Sequence, residues 1–483
     1  MDIHLLAFLL LCLCRQGLTD EASTSLEEGT EPPMHISLIP LITSIPILPE
    51  ATEVPTTPRV IPDPTHDLLE VFHGTPPTTQ DTSSEEDQQG ECQGDELGAE
   101  AKRELGVAIM KFGLELLQHV QASPEQPNVM VSPLSVALGL SQLALGAANE
   151  TETLLLKALH VDALPCYHSV MKSLLHDITQ SALQVATRIY LRPGFQVKKA
   201  FEEESLRLYG SEPTPLTSIE EVNSWVKEAT KGQIPKFLTS LPGNMLLMLI
   251  NAVHFKGMWR ARFDPRFTSN DLFYIDSKTT VPVDMMLGPK YPLSLLIHNE
   301  LEAQVARFPF MGNMSLLVIL PMSGHVNVAT IAAHLNASEL YSRFPRERTM
   351  QVKLPKLNLK YNEELQNALT GMGLGELFLG PDLSRIGDGP MMVSNVKHEA
   401  AMELNEEGAE ASATTSIVIS RSNPTFSVNQ PFLFAIMDDE TQTPLFLGIV
   451  KNPNPEAMPL QKGDPDKMGF AGRNHVASSY DPK

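Results

Sequence analysis

The sequence lacks the residue spacings that catalysis or metal binding would need. It has only four cysteines among 483 residues, and no Cys/His spacing in it is typical of zinc. It contains no Gly-x-Ser-x-Gly motif, no phosphate-binding loop and no dinucleotide fingerprint. His398-Glu399 begins a metalloprotease pattern, but Met402 stands where the second histidine belongs. We therefore predict no enzymatic activity, no metal and no cofactor, and a structural role for His398.

Positive charge and long apolar runs are also scarce. The net charge is −22 at pH 7 and no Lys/Arg cluster offsets it, which argues against nucleic acid as a partner. The apolar run from Leu5 to Leu13 is too short to span a bilayer, and no other run is long enough, so no membrane association is predicted. At the start of a chain such a run is typical of a secretory signal peptide, which we place at residues 1–19.

Secretion determines which cysteines remain in the mature protein and whether they can form a disulfide. Cys12 and Cys14 would leave with the signal peptide, so that Cys92 and Cys166 remain in an oxidising compartment. Their spacing does not distinguish one disulfide from two free thiols. Residues 20–95 are rich in Pro, Thr, Ser and Glu. We predict that this extension is disordered, because it cannot bury enough apolar surface to offset its ordering entropy.

Residues 96–455 carry the patterns of a folded domain. Ser132 and Pro133 are typical of a helix cap and first helical residue, and Gly146 is typical of a left-handed helix end. Apolar spacing predicts a further helix at 100–120, and apolar or alternating runs predict strands at 182–191, 246–255, 316–320 and 432–436. Helices near the front and strands near the back indicate an α+β fold.

The stretch 406–434 is the most unusual part of the chain. From Ala411 to Ser420 it has no charge and no proline, so every main-chain N–H could join a sheet. Arg421 is the only Lys or Arg between Lys397 and Lys451, and a lone Arg in a loop is a cleavage signal for trypsin-like proteases. A flexible linker would also explain the small residues, but it would need neither a segment able to join a sheet nor a cleavage signal.

The residues that follow point to one family. Phe426-Ser-Val-Asn-Gln-Pro-Phe-Leu-Phe-Ala-Ile436 resembles the signature that closes the reactive loop of serpins. Other serpin-like motifs occur in the family's order, at Asn128…Ser132-Pro-Leu-Ser135, Asn223-Ser-Trp-Val226, Asn251-Ala-Val-His-Phe-Lys-Gly257…Trp259 and Phe446-Leu-Gly-Ile-Val-Lys-Asn-Pro453. Because they extend over about residues 100–455, the chain is identified as similar to serpins along its whole predicted domain.

This resemblance implies a fold and a mechanism. It implies an α+β serpin fold with three β-sheets, about nine helices and an exposed reactive-centre loop. A serine protease would cleave the loop and form an acyl-enzyme, and the freed loop would insert as a new strand in the central sheet. The resemblance also favours a Cys92–Cys166 disulfide and places His398 at the end of a central strand, beside the loop.

The resemblance also assigns the parts of the loop. The residues of the inhibitory hinge are Glu406, Glu407, Gly408, Ala409, Glu410, Ala411, Ser412, Ala413, Thr414 and Thr415. The usual family register puts Ser422 before the cleaved bond. We instead assign Arg421-Ser422 as the reactive bond, because a trypsin-like protease needs a cation in its anionic specificity pocket.

Several stretches, such as residues 229–238, resemble the plasmin-directed serpins. The C-terminal extension 456–483 contains Lys462, Lys467 and a terminal Lys483, whose ammonium and carboxylate are the pair that lysine-binding kringles recognise. We therefore expect a monomer that binds plasmin or plasminogen through both active site and kringles. Trypsin is a further expected target. Gln80, Gln88 and Gln89 are candidates for transglutaminase cross-linking to fibrin.

Asn149, Asn313 and Asn336 begin sequons and predict N-glycosylation. Two other functions stay open at this point. The chain could inhibit a different Arg-specific protease, or it could be a non-inhibitory serpin that binds a ligand or matrix.

Overall fold

The computed structural model describes residues 98–179, 183–241, 243, 245–324, 327–408 and 424–461. Nine α-helices lie among these residues: α1 (Ala99–His119), α2 (Pro133–Gly146), α3 (Asn149–Ala158), α4 (Tyr167–Thr179), α5 (Lys199–Tyr209), α6 (Ile219–Ala229), α7 (Val328–Ala333), α8 (Ala337–Arg343) and α9 (Gln366–Leu369). The strands are β1 (Val129–Val131), β2 (Leu183–Leu191), β3 (Thr214–Pro215), β4 (Leu247–Lys256), β5 (Ser269–Tyr274), β6 (Thr279–His298), β7 (Ala303–Pro309), β8 (Met314–Pro321), β9 (Arg348–Pro355), β10 (Leu357–Glu364), β11 (Val393–Leu404), β12 (Thr425–Ser427), β13 (Phe432–Asp438), β14 (Pro444–Val450) and β15 (Leu460–Gln461). The described residues belong to the compact unit Glu86–Lys483, and none of their helices is long and apolar enough to cross a bilayer.

Helix α2 shows how local sequence builds the core. The Ser132 side chain accepts a hydrogen bond from the amide of Ser135, and Pro133 occupies the first helical position, as predicted. All its residues except Leu145 are buried. The left-handed conformation predicted at Gly146 is wrong, because this residue has no positive φ. Glycine is needed there for space instead, since a Cβ would lie 2.2 Å from Cγ1 of Ile386.

The first sheet has five strands in the order β10-β11-β4-β2-β3. β4 and β11 run parallel at its centre, and β2 and β10 run antiparallel to them. β4 is buried up to Lys256 because helices cover both faces. A Cβ on Gly139 of α2 would lie 2.7 Å from Leu249, and Val226 of α6 shares a cluster with Met248. The prediction of a strand buried on both faces is confirmed.

The remaining strands form one hydrogen-bonded sheet in the order β1-β14-β13-β8-β7-β6-β9-β12, with β5 and β15 also paired to β6. The resemblance predicts three sheets, but the described residues form two. The reason is β6, a strand of 20 residues. Its first part pairs with β5, β9 and β15, and its last part pairs with β7. The strands on both sides are therefore hydrogen-bonded to the same strand and count as one continuous sheet.

Candidate reactive-loop hinge

The predicted hinge begins where the central pair of strands ends. The parallel ladder between β4 and β11 runs to Lys256 opposite Glu403, and the chain continues past β11 to Gly408. Residues 409–423 lie outside the described residues. The reactive bond Arg421-Ser422 and the hinge residues from Ala409 to Thr415 are therefore predictions that the structure does not test.

Trp259 anchors the chain immediately after β11. Its indole N–H donates to the carbonyl of Asn405 at 2.6 Å, and its amide donates to the carbonyl of Glu407 at 3.0 Å. The ring is fully buried and stacks on Phe310 with centroids 4.5 Å apart. Gly408 pairs with Trp259 as a parallel bridge. A Cβ there would lie 2.4 Å from the Trp259 carbonyl oxygen, so this close approach of two main chains requires glycine.

Glu406 is held by two donors on neighbouring elements. Nζ of Lys356 lies 3.1 Å from its carboxylate, and the Thr268 hydroxyl donates to it at 2.6 Å. Burial alone would raise the pKa of Glu406. The hydrogen bond from Thr268, a main-chain hydrogen bond and the Lys356 ammonium outweigh burial, and they hold this pKa below its usual value. The carboxylate side chain is 11% exposed, so water and salt screen this ion pair only partly.

Glu407 connects the hinge to β4. Its carboxylate lies 3.0 Å from Nζ of Lys256, and this hydrogen bond raises the pKa of Lys256. Asn405 adds two polar contacts: its side chain donates to Glu403 and accepts from the Glu407 amide, both at 2.9 Å. Glu407 is thus bonded to β4 through Lys256, and Asn405 links it to Glu403 near the end of β11.

Main-chain hydrogen bonds also fix the chain from Pro424 onwards. The amide of Gln351 donates to the carbonyl of Pro424 at 3.0 Å, and the Val428 amide donates to the Lys353 carbonyl at 2.9 Å. Between these bonds β12 pairs with β9 in parallel, and Phe426 is fully buried. Main-chain hydrogen bonds therefore hold the residues that precede and follow segment 409–423.

His398 does not lie where the resemblance placed it. It sits in the middle of β11, fully buried, and its Nε2 accepts a hydrogen bond from the Ser132 amide at 3.2 Å. The expected position at the end of the strand, beside the loop, is wrong. Burial lowers the pKa of His398 to about 3. The side chain is therefore a neutral link between β11 and the start of α2, which agrees with a structural role.

Sequence reasoning did not assign Trp259, Lys256, Lys356 or Thr268 to the hinge. Trp259 carried a usable signal, since it is one of two tryptophans and lies in a serpin-like motif. Lys256 lies in the same motif, whereas Lys356 and Thr268 carried no signal. They meet the hinge only because the strand order brings together segments that are far apart in the chain.

Several predicted site residues lie elsewhere. Cys166 is disulfide-bonded, and its partner lies outside the described residues, as do Cys92, Lys462, Lys467 and Lys483. The asparagines of all three sequons are exposed: Asn149, Asn313 and Asn336. Among the residues that the structure describes, no group of three or more His, Cys, Asp or Glu could hold a metal ion.

Comparison with known proteins identifies the family. The family model of serpins (serine protease inhibitors) matches residues 107–453, and the chain belongs to this family. Alpha-2-antiplasmin of Bos taurus is 44% identical to it over 373 residues, which cover 76% of each chain. Alpha-2-antiplasmin of Mus musculus is 43% identical over 394 residues, which cover 80% of each chain. The crystal structure of uncleaved ovalbumin matches with a TM-score of 0.67 and 26% identity, covering 72% of this chain and 100% of ovalbumin.

Proposed function

We propose that this chain is a secreted inhibitor of trypsin-like serine proteases, that plasmin is its main target, and that it thereby limits fibrinolysis. The protease attacks the Arg421-Ser422 bond and forms an acyl-enzyme. The loop then inserts between β4 and β11, which carries the protease across the molecule and distorts its active site. The chain contributes a cleavable bond and an insertable segment, and no catalytic residue.

The parallel pairing of β4 with β11 carries this proposal. A segment that continues from β11 and turns back after Gly408 runs antiparallel to β11, and therefore also antiparallel to β4. Its insertion replaces one parallel ladder with two antiparallel ladders, and antiparallel pairing is slightly more stable per residue. Residues Ala411 to Ser420 have no proline or charge to prevent it. The inserted backbone therefore gains hydrogen bonds on both sides.

Two observations favour plasmin as the target. The relatives that are 43% and 44% identical are named for antiplasmin activity. The tail also carries Lys462, Lys467 and the terminal Lys483, which suit the lysine-binding kringles of plasmin and plasminogen. Trypsin would be inhibited through Arg421 alone. Cross-linking to fibrin would use Gln80, Gln88 or Gln89.

Further parts of the proposal concern processing. We propose removal of residues 1–19 on secretion, a monomeric serpin domain at 96–455 between the two extensions, and glycans on Asn149, Asn313 and Asn336. The disulfide of Cys166 would join Cys92, because Cys12 and Cys14 leave with the signal peptide. Peptide mapping of the secreted protein without reduction should find the Cys92–Cys166 peptide. A peptide that joins Cys166 to another cysteine would contradict this pairing.

The decisive experiment mixes the purified protein with plasmin and separates the products on a denaturing gel. We expect a covalent band at the combined mass and a released peptide that begins at Ser422. Cleavage after Arg421 without a covalent band would overturn the inhibitory mechanism and favour a non-inhibitory serpin. Removal of Lys483 should slow association with plasmin but not with trypsin. Equal rates for the intact and shortened chains would favour a different Arg-specific protease as the target.

A further inference from the structure

We propose that a cavity at the outer edge of β2 binds a small hydroxylated carboxylic acid, independently of protease inhibition. The cavity has a volume of about 220 Å³ and lies where α2, α4, β2 and α6 meet. It is separate from the hinge, because none of residues 403–408 lines it.

The cavity exists because β2 is only partly covered by its neighbour. β3 has two residues and pairs only with Tyr190 and Leu191. Among the described residues no other strand pairs with the outer edge of β2, and helices close over the open part. Residues 185–188 of β2 line the space that remains. Native proteins commonly cover an open strand edge of this kind with a helix or loop.

Arg188 gives the cavity its charge. It is the only charged residue among those that line the cavity. Part of its guanidinium bonds to the Tyr190 hydroxyl and acts to lower the pKa of that group, against the larger effect of burial. Its Cζ lies 4.2 Å from the centre of the Trp225 ring, and its Nε is buried without a hydrogen-bond partner among the described residues. A guanidinium that stacks on an aromatic face keeps its N–H donors in its own plane, where a carboxylate can accept two of them.

Gln142 supplies an acceptor. Its side chain is 1% exposed, and its Nε2 donates to the Ser205 hydroxyl at 2.6 Å and to the Ser211 carbonyl at 3.0 Å. These bonds fix the amide so that Oε1 is the free atom, and Oε1 has no partner among the described residues. A buried acceptor without a donor is unfavourable, so a ligand hydroxyl would be stabilised there.

Apolar side chains complete the wall, among them Leu138, Leu175 and Val185. They suit the short apolar body of such a ligand. The space is below the usual range for drug-sized ligands, about 300–1,000 Å³. The chemistry therefore favours a compact hydroxy acid with one ring or a short chain.

Fluorine NMR of the full-length protein with 3-fluoro-4-hydroxybenzoate tests this inference. We expect saturable broadening of the fluorine signal with wild type. Arg188→Gln should weaken binding at least about tenfold, because a charge-assisted pair is lost. Ala229→Leu should also weaken binding, because Ala229 lines the cavity and a larger side chain would fill it. The matched control is Arg192→Gln: Arg192 is exposed and does not line the cavity, so this variant should bind like wild type.

Two analogues test the chemical class. 3-Fluoro-4-hydroxybenzyl alcohol lacks the carboxylate and 3-fluorobenzoate lacks the hydroxyl, and both should bind more weakly. Thermal unfolding of each variant shows whether it is folded. The proposal is overturned if wild type gives no saturable broadening, or if folded Arg188→Gln and Ala229→Leu bind as wild type does. Equal binding of 3-fluorobenzoate would overturn the role of Gln142.

Discussion

The indole N–H of Trp259 donates a hydrogen bond to the main-chain carbonyl of Asn405 at 2.6 Å. Trp259 follows β4 and Asn405 follows β11, so the bond joins the two central strands just beyond the end of their ladder. A loop that enters between these strands must separate them at this end first. We therefore expect the contacts around Trp259 to control how readily the sheet opens.

Replacement of Gly408 tests this close approach. In Gly408→Ala the new Cβ would lie 2.4 Å from the Trp259 carbonyl oxygen, so the hinge must move away. We expect a loss of about 1–3 kcal/mol in the free energy of unfolding, as for other overpacked sites, measured by denaturant titration. Gly380→Ala is the control, because a Cβ there meets no atom within 4 Å. Equal stability of the two variants would show that the hinge does not need glycine.

The ion pair between Glu406 and Lys356 should make the free energy of unfolding depend on pH. Glu406→Gln should lower the free energy of unfolding at pH 7 by about 1 kcal/mol, because a partly buried charged hydrogen bond is lost. The folded pKa of Glu406 lies below its usual value of 4.5. Its contribution is therefore complete above pH 4.5 and is lost as the pH falls through the lowered value. Denaturant titrations from pH 7 downwards should show the wild type and the variant converge in acid.

The neighbouring Glu407 provides the comparison for that experiment. Its side chain is 56% exposed and that of Lys256 is 40% exposed, and exposed pairs of this kind contribute less than about 1 kcal/mol. Glu407→Gln should thus change stability less than Glu406→Gln does. A larger effect at Glu407 would contradict the expectation that the more buried carboxylate of Glu406 contributes more to stability.

We expect the buried His398 to lower the free energy of unfolding in acid for a different reason from Glu406. Its folded pKa is about 3, against an ordinary value of 6.5, so below pH 6.5 only the unfolded chain takes up a proton there. Stability should fall by up to about 1.4 kcal/mol per pH unit between pH 6.5 and about 3. His398→Gln, whose side chain can still accept from the Ser132 amide, should remove this loss. Urea midpoints at several pH values measure it.

The control for His398 is a histidine on the surface. His334 is exposed, so His334→Gln should follow the wild type through the same series of pH values. If His398→Gln loses as much stability as the wild type does below pH 6, another group causes the loss of stability in acid.

A proline in the loop should prevent inhibition while leaving cleavage of the reactive bond possible. Ala411→Pro removes a main-chain donor that the inserted strand would need, but it leaves Arg421-Ser422 unchanged. Plasmin should still cleave this variant, and the covalent fraction on a denaturing gel should fall at least about tenfold, because proline in the middle of a sheet removes a ladder hydrogen bond. Ala411→Ser keeps the donor and should form the complex as wild type does. A full yield of complex from Ala411→Pro would falsify insertion through this residue.

The sequence by itself determined the elements that depend on near neighbours in the chain. Ser132 and Pro133 start α2 because capping involves residues three positions apart. The apolar run at 246–255 becomes β4, because a strand covered on both faces needs no polar alternation. The family, too, could be identified from short motifs in a fixed order.

Only the tertiary structure decided the contacts between distant segments. Glu406 meets Thr268, which directly precedes β5 of the other sheet. Glu406 also meets Lys356, and Trp259 meets Asn405, because the strand order places the ends of β4, β10 and β11 together. The position of His398 against Ser132 has the same cause. A residue's own type and its neighbours fix its secondary structure, but partners at long sequence separation depend on how strands and helices pack, and local patterns do not encode that packing.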